Sequence, residues 1–184
     1  TVQIYGQRQF DLTGVFGPRT NPTQPHTVTI PPGQPCNPSN RAPGFTITDT
    51  GEVWTMQEPY GAYTWYPVND HPSDKALYDI TVHAPSRWTG ISNGELTELT
   101  SDADGTTTSW QLDEPASSYL ITLAIGDYAH SSNTSDSGLR VDYWTPRGTR
   151  RQLDSIRTAA ATVDWVETRL GDYPFDSLGV VVTD

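Results

Sequence analysis

The pattern of apolar and polar residues predicts a body made of strands. Residues 78–84 alternate apolar with polar side chains, a period of two that predicts a strand with one buried face. Residues 139–144 alternate in the same way. The run 119–125 is almost continuously apolar and is followed by Gly126, which predicts a central strand covered on both faces.

Two turn signals separate these strands. Asn93 and Gly94 both tolerate a positive φ angle, and this pair is a strong signal for a hairpin. Residues 102–105, Asp-Ala-Asp-Gly, predict a second turn, which leads into a strand at residues 106–112.

The periodicity changes near residue 150. Apolar residues then recur at spacings of three and four, which predicts an amphipathic helix; they are Leu153, Ile156, Ala160, Val163, Val166 and Leu170. Gly171 fits the end of that helix, and a last strand follows at residues 178–183. We expect this helix and strand to begin a second domain, with an uncovered apolar surface around Val163, Val166 and Val180–Val182.

Residues 1–52 show the weakest pattern. Eight prolines interrupt them: Pro18, Pro22, Pro25, Pro31, Pro32, Pro35, Pro38 and Pro43. Short extended pieces remain at residues 10–16, 26–30 and 45–48, which we interpret as edge strands and surface loops.

Composition limits the classes of partner. The 22 acidic residues outnumber the 11 basic ones, and a net charge of −11 argues against nucleic acid or an anionic membrane as partner. The charge suits a cationic ligand, but it is also what a soluble surface requires. No stretch is long and apolar enough for a membrane-spanning helix. The start, Thr1-Val2-Gln3, contains no targeting signal, which predicts a processed or trimmed N-terminus and leaves a cytoplasmic and a secreted location equally open.

No metal site or nucleophile is expected within these residues. The four histidines, His26, His71, His83 and His130, include no pair at i and i+4, and no His-Glu-x-x-His motif occurs. Cys36 and His26 are near each other in sequence and could form a catalytic Cys–His pair, but we interpret Cys36 as a thiol without a catalytic role. We therefore expect no catalytic residue in this chain.

Residues 57–76 form an aromatic, proline-stiffened segment with the acidic residue Glu58 near its start. A carboxylate among aromatic side chains is a strong acceptor for a cation. Asp70 and His71 are expected to form a turn rather than a catalytic pair. The aromatic residues, Tyr60, Tyr63, Trp65 and Tyr66, either line a cleft or fill the core, and the sequence does not decide between these.

The same segment resembles the substrate-anchoring stretch of zinc aminopeptidases of the aminopeptidase N family. Met56-Gln57-Glu58 aligns with the family's Gln-Met-Glu, and Pro67, Asp70 and Pro72 match at 9, 12 and 14 residues after the Glu. Four further stretches are also similar: Lys75-Ala76, Ser92-Asn93-Gly94, residues 118–128 and Tyr173-Pro174-Phe175. The resemblance covers residues 53–184, whereas residues 1–52 match poorly.

The resemblance implies a mainly β fold in two parts. Residues 1–148 would form a saddle-like β-sandwich N-terminal domain. Residues 149–184 would begin a thermolysin-like α/β catalytic domain and stop before its zinc motif. The full-length enzyme would hold Zn through ligands absent from this chain.

The resemblance also implies a role for three residues. Glu58 would bind the free α-amino group of a peptide substrate. Met56 stands where the family has Gln, so that polar contact is either lost or taken over by Gln57. The implied partners are a peptide, through its N-terminus, and the missing catalytic domain of the same polypeptide. The alternatives are a stand-alone β-sandwich module for carbohydrate, with exposed Trp in a shallow groove and a covered C-terminal helix, and a non-catalytic scaffold.

Overall fold

The strands that the structure describes form three sheets. The computed structural model describes residues 2–6, 26–28, 44–148 and 155–183. Its strands are β1 (Val2–Gly6), β2 (His26–Val28), β3 (Gly44–Ile47), β4 (Val53–Met56), β5 (Lys75–Ala84), β6 (Thr89–Ser92), β7 (Glu95–Ser101), β8 (Thr106–Ser117), β9 (Leu123–Gly126), β10 (Tyr128–Thr134), β11 (Arg140–Pro146) and β12 (Ser177–Val181). The α-helix α1 (Ala159–Leu170) lies between β11 and β12.

The first sheet has five strands in the order β2-β1-β5-β8-β7, all antiparallel. The predicted alternation at residues 78–84 is confirmed, because every second residue of β5 is buried. Ile80 and Val82 on that buried face are 1% and 0% exposed. They form one wall of the main core.

The second sheet, in the order β3-β4-β9-β6, supplies the opposite wall. Side chains from both sheets join one core, so the two sheets form a β-sandwich. At Gly90 the sheets lie so close that a Cβ would fall 2.2 Å from Val82 Cγ1. The Gly90 carbonyl accepts hydrogen bonds from Thr108 Oγ1 at 2.7 Å and Trp110 Nε1 at 3.0 Å, which tie β6 to β8.

The hairpin prediction at Asn93 and Gly94 is wrong. These residues join β6 of the second sheet to β7 of the first, because β6 pairs with β9 and β7 pairs with β8. The Asn93 side chain bonds the segment before β9, donating to the Leu120 carbonyl at 3.0 Å and accepting from the Thr122 N–H at 2.5 Å. The sequence correctly predicts a turn at these two residues, but it does not show which strands the flanking residues pair with. The turn at residues 102–105 does close the β7–β8 hairpin.

The apolar run at residues 119–125 is only partly one strand. Ser118–Leu120 forms a 3-10 helix, and β9 begins at Leu123. All four residues of β9 are buried between β4 and β6, so the expected central position is confirmed. The strand predicted at 106–112 continues to Ser117 as β8.

The third sheet contains β10, β11 and β12, and β11 pairs with β12 in parallel. Helix α1 is the crossover between these two strands, and Gly171 ends it with φ +91°. The helix packs on Val141 and Tyr143 of β11 through Ala160.

The expected uncovered surface is wrong for Val163. Val163 is buried, whereas Val166 and Val180–Val182 are half-buried. The C-terminal helix is therefore covered on its inner side by β11, while Trp165 and Leu170 stay exposed. Of the other predicted pieces, residues 26–30 and 45–48 correspond to β2 and β3, and residues 10–16, Cys36 and Leu153 lie outside the described residues.

Asp164 links α1 to the β10–β11 turn. Its carboxylate accepts the backbone N–H groups of Asp136 at 3.0 Å and Ser137 at 2.9 Å. These two bonds hold the pKa of Asp164 below its usual value near 3.8. A lowered pKa stabilises the fold above the ordinary pKa, and this stabilisation is lost as the pH falls through the lowered one.

We therefore expect Asp164→Asn to lower the melting temperature at pH 7 and to have a much smaller effect near pH 2. The measurement is a thermal melt of both proteins across that pH range. Asp172→Asn, an exposed carboxylate just after α1, is the control. A melting-temperature difference that does not change with pH would show that the ionised form of Asp164 is not what stabilises the turn.

Candidate functional site

Met56 and Glu58 lie on one exposed side of the chain where β4 ends. Met56 is 65% exposed, Gln57 is 2% exposed, and Glu58 is exposed again. The period of two in β4 thus continues two residues beyond the strand. Within the described part of the chain, no hydrogen bond or ion pair engages the Glu58 side chain. Its carboxylate can therefore accept a cationic group.

Gln57 points the other way, into the protein. Its Nε2 donates to the Ile121 carbonyl, and its Oε1 is buried without a hydrogen-bond partner among the described residues. In this conformation Gln57 cannot reach the surface on which Glu58 lies. This position of Gln57 favours one of the two alternatives. The polar contact that the family's Gln makes at the position of Met56 is lost, and Gln57 does not replace it.

The four aromatic residues after Glu58 divide equally between surface and core. Tyr60 and Tyr63, which follow Glu58 closely in the sequence, are 57% and 60% exposed. Trp65 and Tyr66 are buried and belong to the main core. The sequence could not separate the two pairs, because a 3-10 helix at Ala62–Thr64 redirects the chain between them.

Tyr66 fixes the middle of this segment to the protein. Its hydroxyl donates to the Ser118 carbonyl at 3.1 Å, and its ring contacts those of Trp65 and Tyr78 edge to face. Burial, with a smaller contribution from Tyr78, raises the pKa of Tyr66 far above its ordinary value. Tyr66 therefore stays protonated and remains a donor throughout the physiological pH range.

Asp70 has a structural role, as expected, but it reaches further than a local turn. Its Oδ2 accepts the Gly61 N–H at 2.6 Å, and its Oδ1 accepts the Ser118 hydroxyl at 2.9 Å. The neighbouring His71 is exposed and shares a hydrogen bond with Ser73 Oγ at 2.7 Å. Ser118 was not singled out from the sequence, because nothing local marks a contact 48 residues away.

One cavity in the described part of the chain is formed by residues other than those around Glu58. It has a volume of about 390 Å³ and lies between β8, β11 and residues 173–181, and residues 56–58 do not line it. Trp110, Trp144 and Phe175 form part of its apolar lining. Glu114 and Asp176 lie on its rim, and burial together with the charge of Asp176 raises the pKa of Glu114.

The other polar clusters are ion pairs on strands. Asp142 is bound by Arg140 at 2.8 Å and by His130 Nε2 at 2.6 Å. Burial alone would raise the pKa of Asp142, but these two partners outweigh it and hold the pKa below the usual value. Among the residues that the structure describes, no group of three His, Cys, Asp or Glu side chains could hold a metal ion. None of the described helices has the length and apolar character needed to cross a bilayer.

Comparison with known proteins gives one family. Residues 44–120 match the model of the Peptidase M1 N-terminal domain. A putative aminopeptidase-2 from Caenorhabditis elegans is 32% identical over 122 residues, which are 66% of this chain and 6% of that protein. Aminopeptidase 2 from Candida albicans is 29% identical over 130 residues, 69% of this chain and 14% of that protein. The chain thus spans only a small part of the relatives that it matches.

Solved structures show the same fold. An M1 zinc metallopeptidase from Deinococcus radiodurans, bound to a Tyr-Ser-Ala substrate, superposes with a TM-score of 0.68 over 87% of this chain and 38% of that one, at 21% identity. Legionella pneumophila aminopeptidase A, in complex with aspartic acid, gives a TM-score of 0.67 over 78% of this chain and 18% of that one, at 23% identity.

Proposed function

We propose that this chain, whose residues 44–120 match the Peptidase M1 N-terminal domain, anchors the substrate of a zinc-dependent aminopeptidase. The observation that carries the proposal is the exposed carboxylate of Glu58, which no described residue engages. An ammonium group on a carboxylate makes a charge-assisted hydrogen bond, about 1.5–3 kcal/mol net. Glu58 would thus select peptides with a free α-amino group.

Met56, Tyr60 and Tyr63 would form the apolar surroundings of that carboxylate. All three are more than half exposed. Apolar neighbours reduce local hydration, which strengthens the attraction between a carboxylate and an ammonium. Gln57 would support this surface from below through its bond to the Ile121 carbonyl.

The remaining chemistry would come from the rest of the complete protein. The described residues offer no metal-binding group, so zinc would be held outside them, and there it would supply an activated water for hydrolysis of the first peptide bond. In this proposal residues 1–148 form the N-terminal β-domain and residues 149–184 begin the catalytic domain.

The carbohydrate-binding alternative has little support. The matching family model and the relatives described above are peptidases. Of the six Trp side chains only Trp165 is exposed, and it lies on α1 with the Arg169 guanidinium 4.1 Å from its ring centroid. A Trp covered in this way is a poor stacking platform for a sugar.

The division of labour can be tested directly. We expect the full-length protein to release the first residue from aminoacyl 4-nitroanilides, to lose this activity after chelation and to regain it with added zinc. The purified 184-residue chain should show no activity and no stoichiometric zinc by elemental analysis. Activity or stoichiometric zinc in the short chain, or a full-length protein inactive on every free-amine substrate, would contradict the proposal.

A further inference from the structure

We propose that Asp70, acting through Gly61 and Ser118, is the positioning residue that holds Glu58 in its binding geometry. This inference rests on the proposed role of Glu58 in anchoring the substrate. It concerns two segments, which we call the anchoring loop (residues 57–72) and the platform (residues 117–121). The platform comprises the end of β8, the 3-10 helix and the residue after it.

The anchoring loop is tied to the platform along its whole length. At its start, Gln57 Nε2 donates to the Ile121 carbonyl. In its middle, the Tyr66 hydroxyl donates to the Ser118 carbonyl. At its end, Ser117 Oγ donates to the Pro72 carbonyl at 2.6 Å. These contacts lie between residues 45 to 64 positions apart in sequence, so tertiary contacts hold the loop in addition to the hydrogen bonds of its own turns.

Asp70 is the one described side chain that bridges the early part of the loop to the platform with both of its oxygens. One oxygen accepts the Gly61 N–H, three residues after Glu58, and the other accepts the hydroxyl of Ser118, which is 1% exposed. Hydrogen bonds to an ionised carboxylate are shorter and stronger than neutral ones. Removing the carboxylate would release Gly61, three residues after Glu58, from the platform.

Glu58 depends on this backbone because its own side chain has no support among the described residues. A binding group must be held close to its productive geometry, and a misplacement of about 1 Å can cost as much as 100-fold in rate. Gly61 begins the 3-10 helix with φ +135°, so the chain direction changes just after Glu58. The Asp70 bond lies at this change of direction.

The test is a double-mutant cycle in the full-length protein, with Asp70→Ala and Glu58→Gln alone and together. The readout is kcat/KM for an aminoacyl 4-nitroanilide relative to its N-acetylated form. We expect Asp70→Ala to lower the free-amine kcat/KM about tenfold when Glu58 is present and less than about twofold in the Glu58→Gln protein. A purely structural role would lower both by the same factor.

Two further variants make the result independent of folding problems. Asp70→Asn keeps the shape and can still accept from Gly61 and donate to Ser118 Oγ, so we expect it to stay within about threefold of wild type. Ser118→Ala removes one of the two partners of Asp70 and should show the same dependence on Glu58, at about threefold.

The control is Asp102→Asn, since Asp102 also accepts two backbone N–H groups, at 2.8 and 3.1 Å, but in the β7–β8 turn. It should leave kcat/KM unchanged.

The possible outcomes separate the two proposals. If Glu58→Gln leaves the preference for free over acetylated substrates unchanged, the proposed function is overturned and this inference falls with it. If Glu58→Gln abolishes that preference but Asp70→Ala and Ser118→Ala act equally in both backgrounds, only the positioning role is overturned.

Discussion

Replacing Glu58 by Gln in the full-length protein is expected to lower kcat/KM for free-amine substrates by about 10- to 100-fold. The loss of a charge-assisted bond of about 1.5–3 kcal/mol accounts for this range, because about 1.4 kcal/mol corresponds to a factor of ten. Gln keeps the size of the side chain but carries no charge. The effect should therefore come from the lost attraction for the ammonium, and not from a change in packing.

The measurement is steady-state kinetics on paired aminoacyl 4-nitroanilides, one with a free and one with an acetylated α-amino group. Activity on the acetylated member, where detectable, should change little. The control is Glu98→Gln, because Glu98 is an exposed carboxylate on β7 in the other sheet of the sandwich. Equal losses in the two variants would attribute the effect to net charge and remove Glu58 from the site.

The second large effect concerns the core that supports the platform. Leu123 on β9 is 0% exposed, and its N–H donates to Thr55 Oγ1 of β4 at 2.8 Å. Leu123→Ala should lower the free energy of unfolding by about 2–5 kcal/mol, because it removes buried methyl groups and leaves a cavity between the two sheets. Chemical denaturation followed by Trp fluorescence measures this change.

Leu170→Ala provides the matched control, since Leu170 at the end of α1 is 84% exposed. We expect that substitution to change the free energy of unfolding by less than about 0.5 kcal/mol. If the two substitutions cost the same, β9 would not be the central strand of the sandwich.

The sequence predicts those elements whose burial follows a simple period. The strand at residues 78–84 was predicted correctly because β5 buries a single face, so every second residue had to be apolar. The helix was predicted for the same reason, although the described part of α1 begins only at Ala159. Residues 53–56 and 128–134 are also strands, β4 and β10, but the exposed polar end of β10 hides its period.

The errors arise where partners are distant in sequence. Asn93 and Gly94 form a tight turn, yet no local signal shows that the strands on its two sides enter different sheets. The sequence predicts an uncovered Val163, because the apolar face of the helix requires a covering surface and was expected to find it in a second domain. The sequence could not show that Val163 is buried within this chain, on the helix whose Ala160 packs on β11.

The candidate site was predictable only in part. Glu58 was found through its aromatic segment and a motif resemblance, and its exposure agrees with a binding role. The contact of Asp70 with Ser118 was not predictable, because it depends on how the segment after β8 is placed against a loop 48 residues earlier. Tertiary packing, and not turn propensity, decides where that carboxylate points.

The parallel pairing of β11 with β12 has a mechanical consequence. Five residue pairs, from Arg140 with Ser177 to Trp144 with Val181, form a continuous ladder, and the Val182 N–H extends it by donating to the Trp144 carbonyl at 2.9 Å. β11 lies before residue 148, the proposed boundary between the two domains, and β12 lies after it. The ladder therefore joins the two proposed domains. A hinge motion at residue 148 would have to break the hydrogen bonds of this ladder. A force applied to β12 is therefore transmitted to β11 and β10 as shear along paired strands.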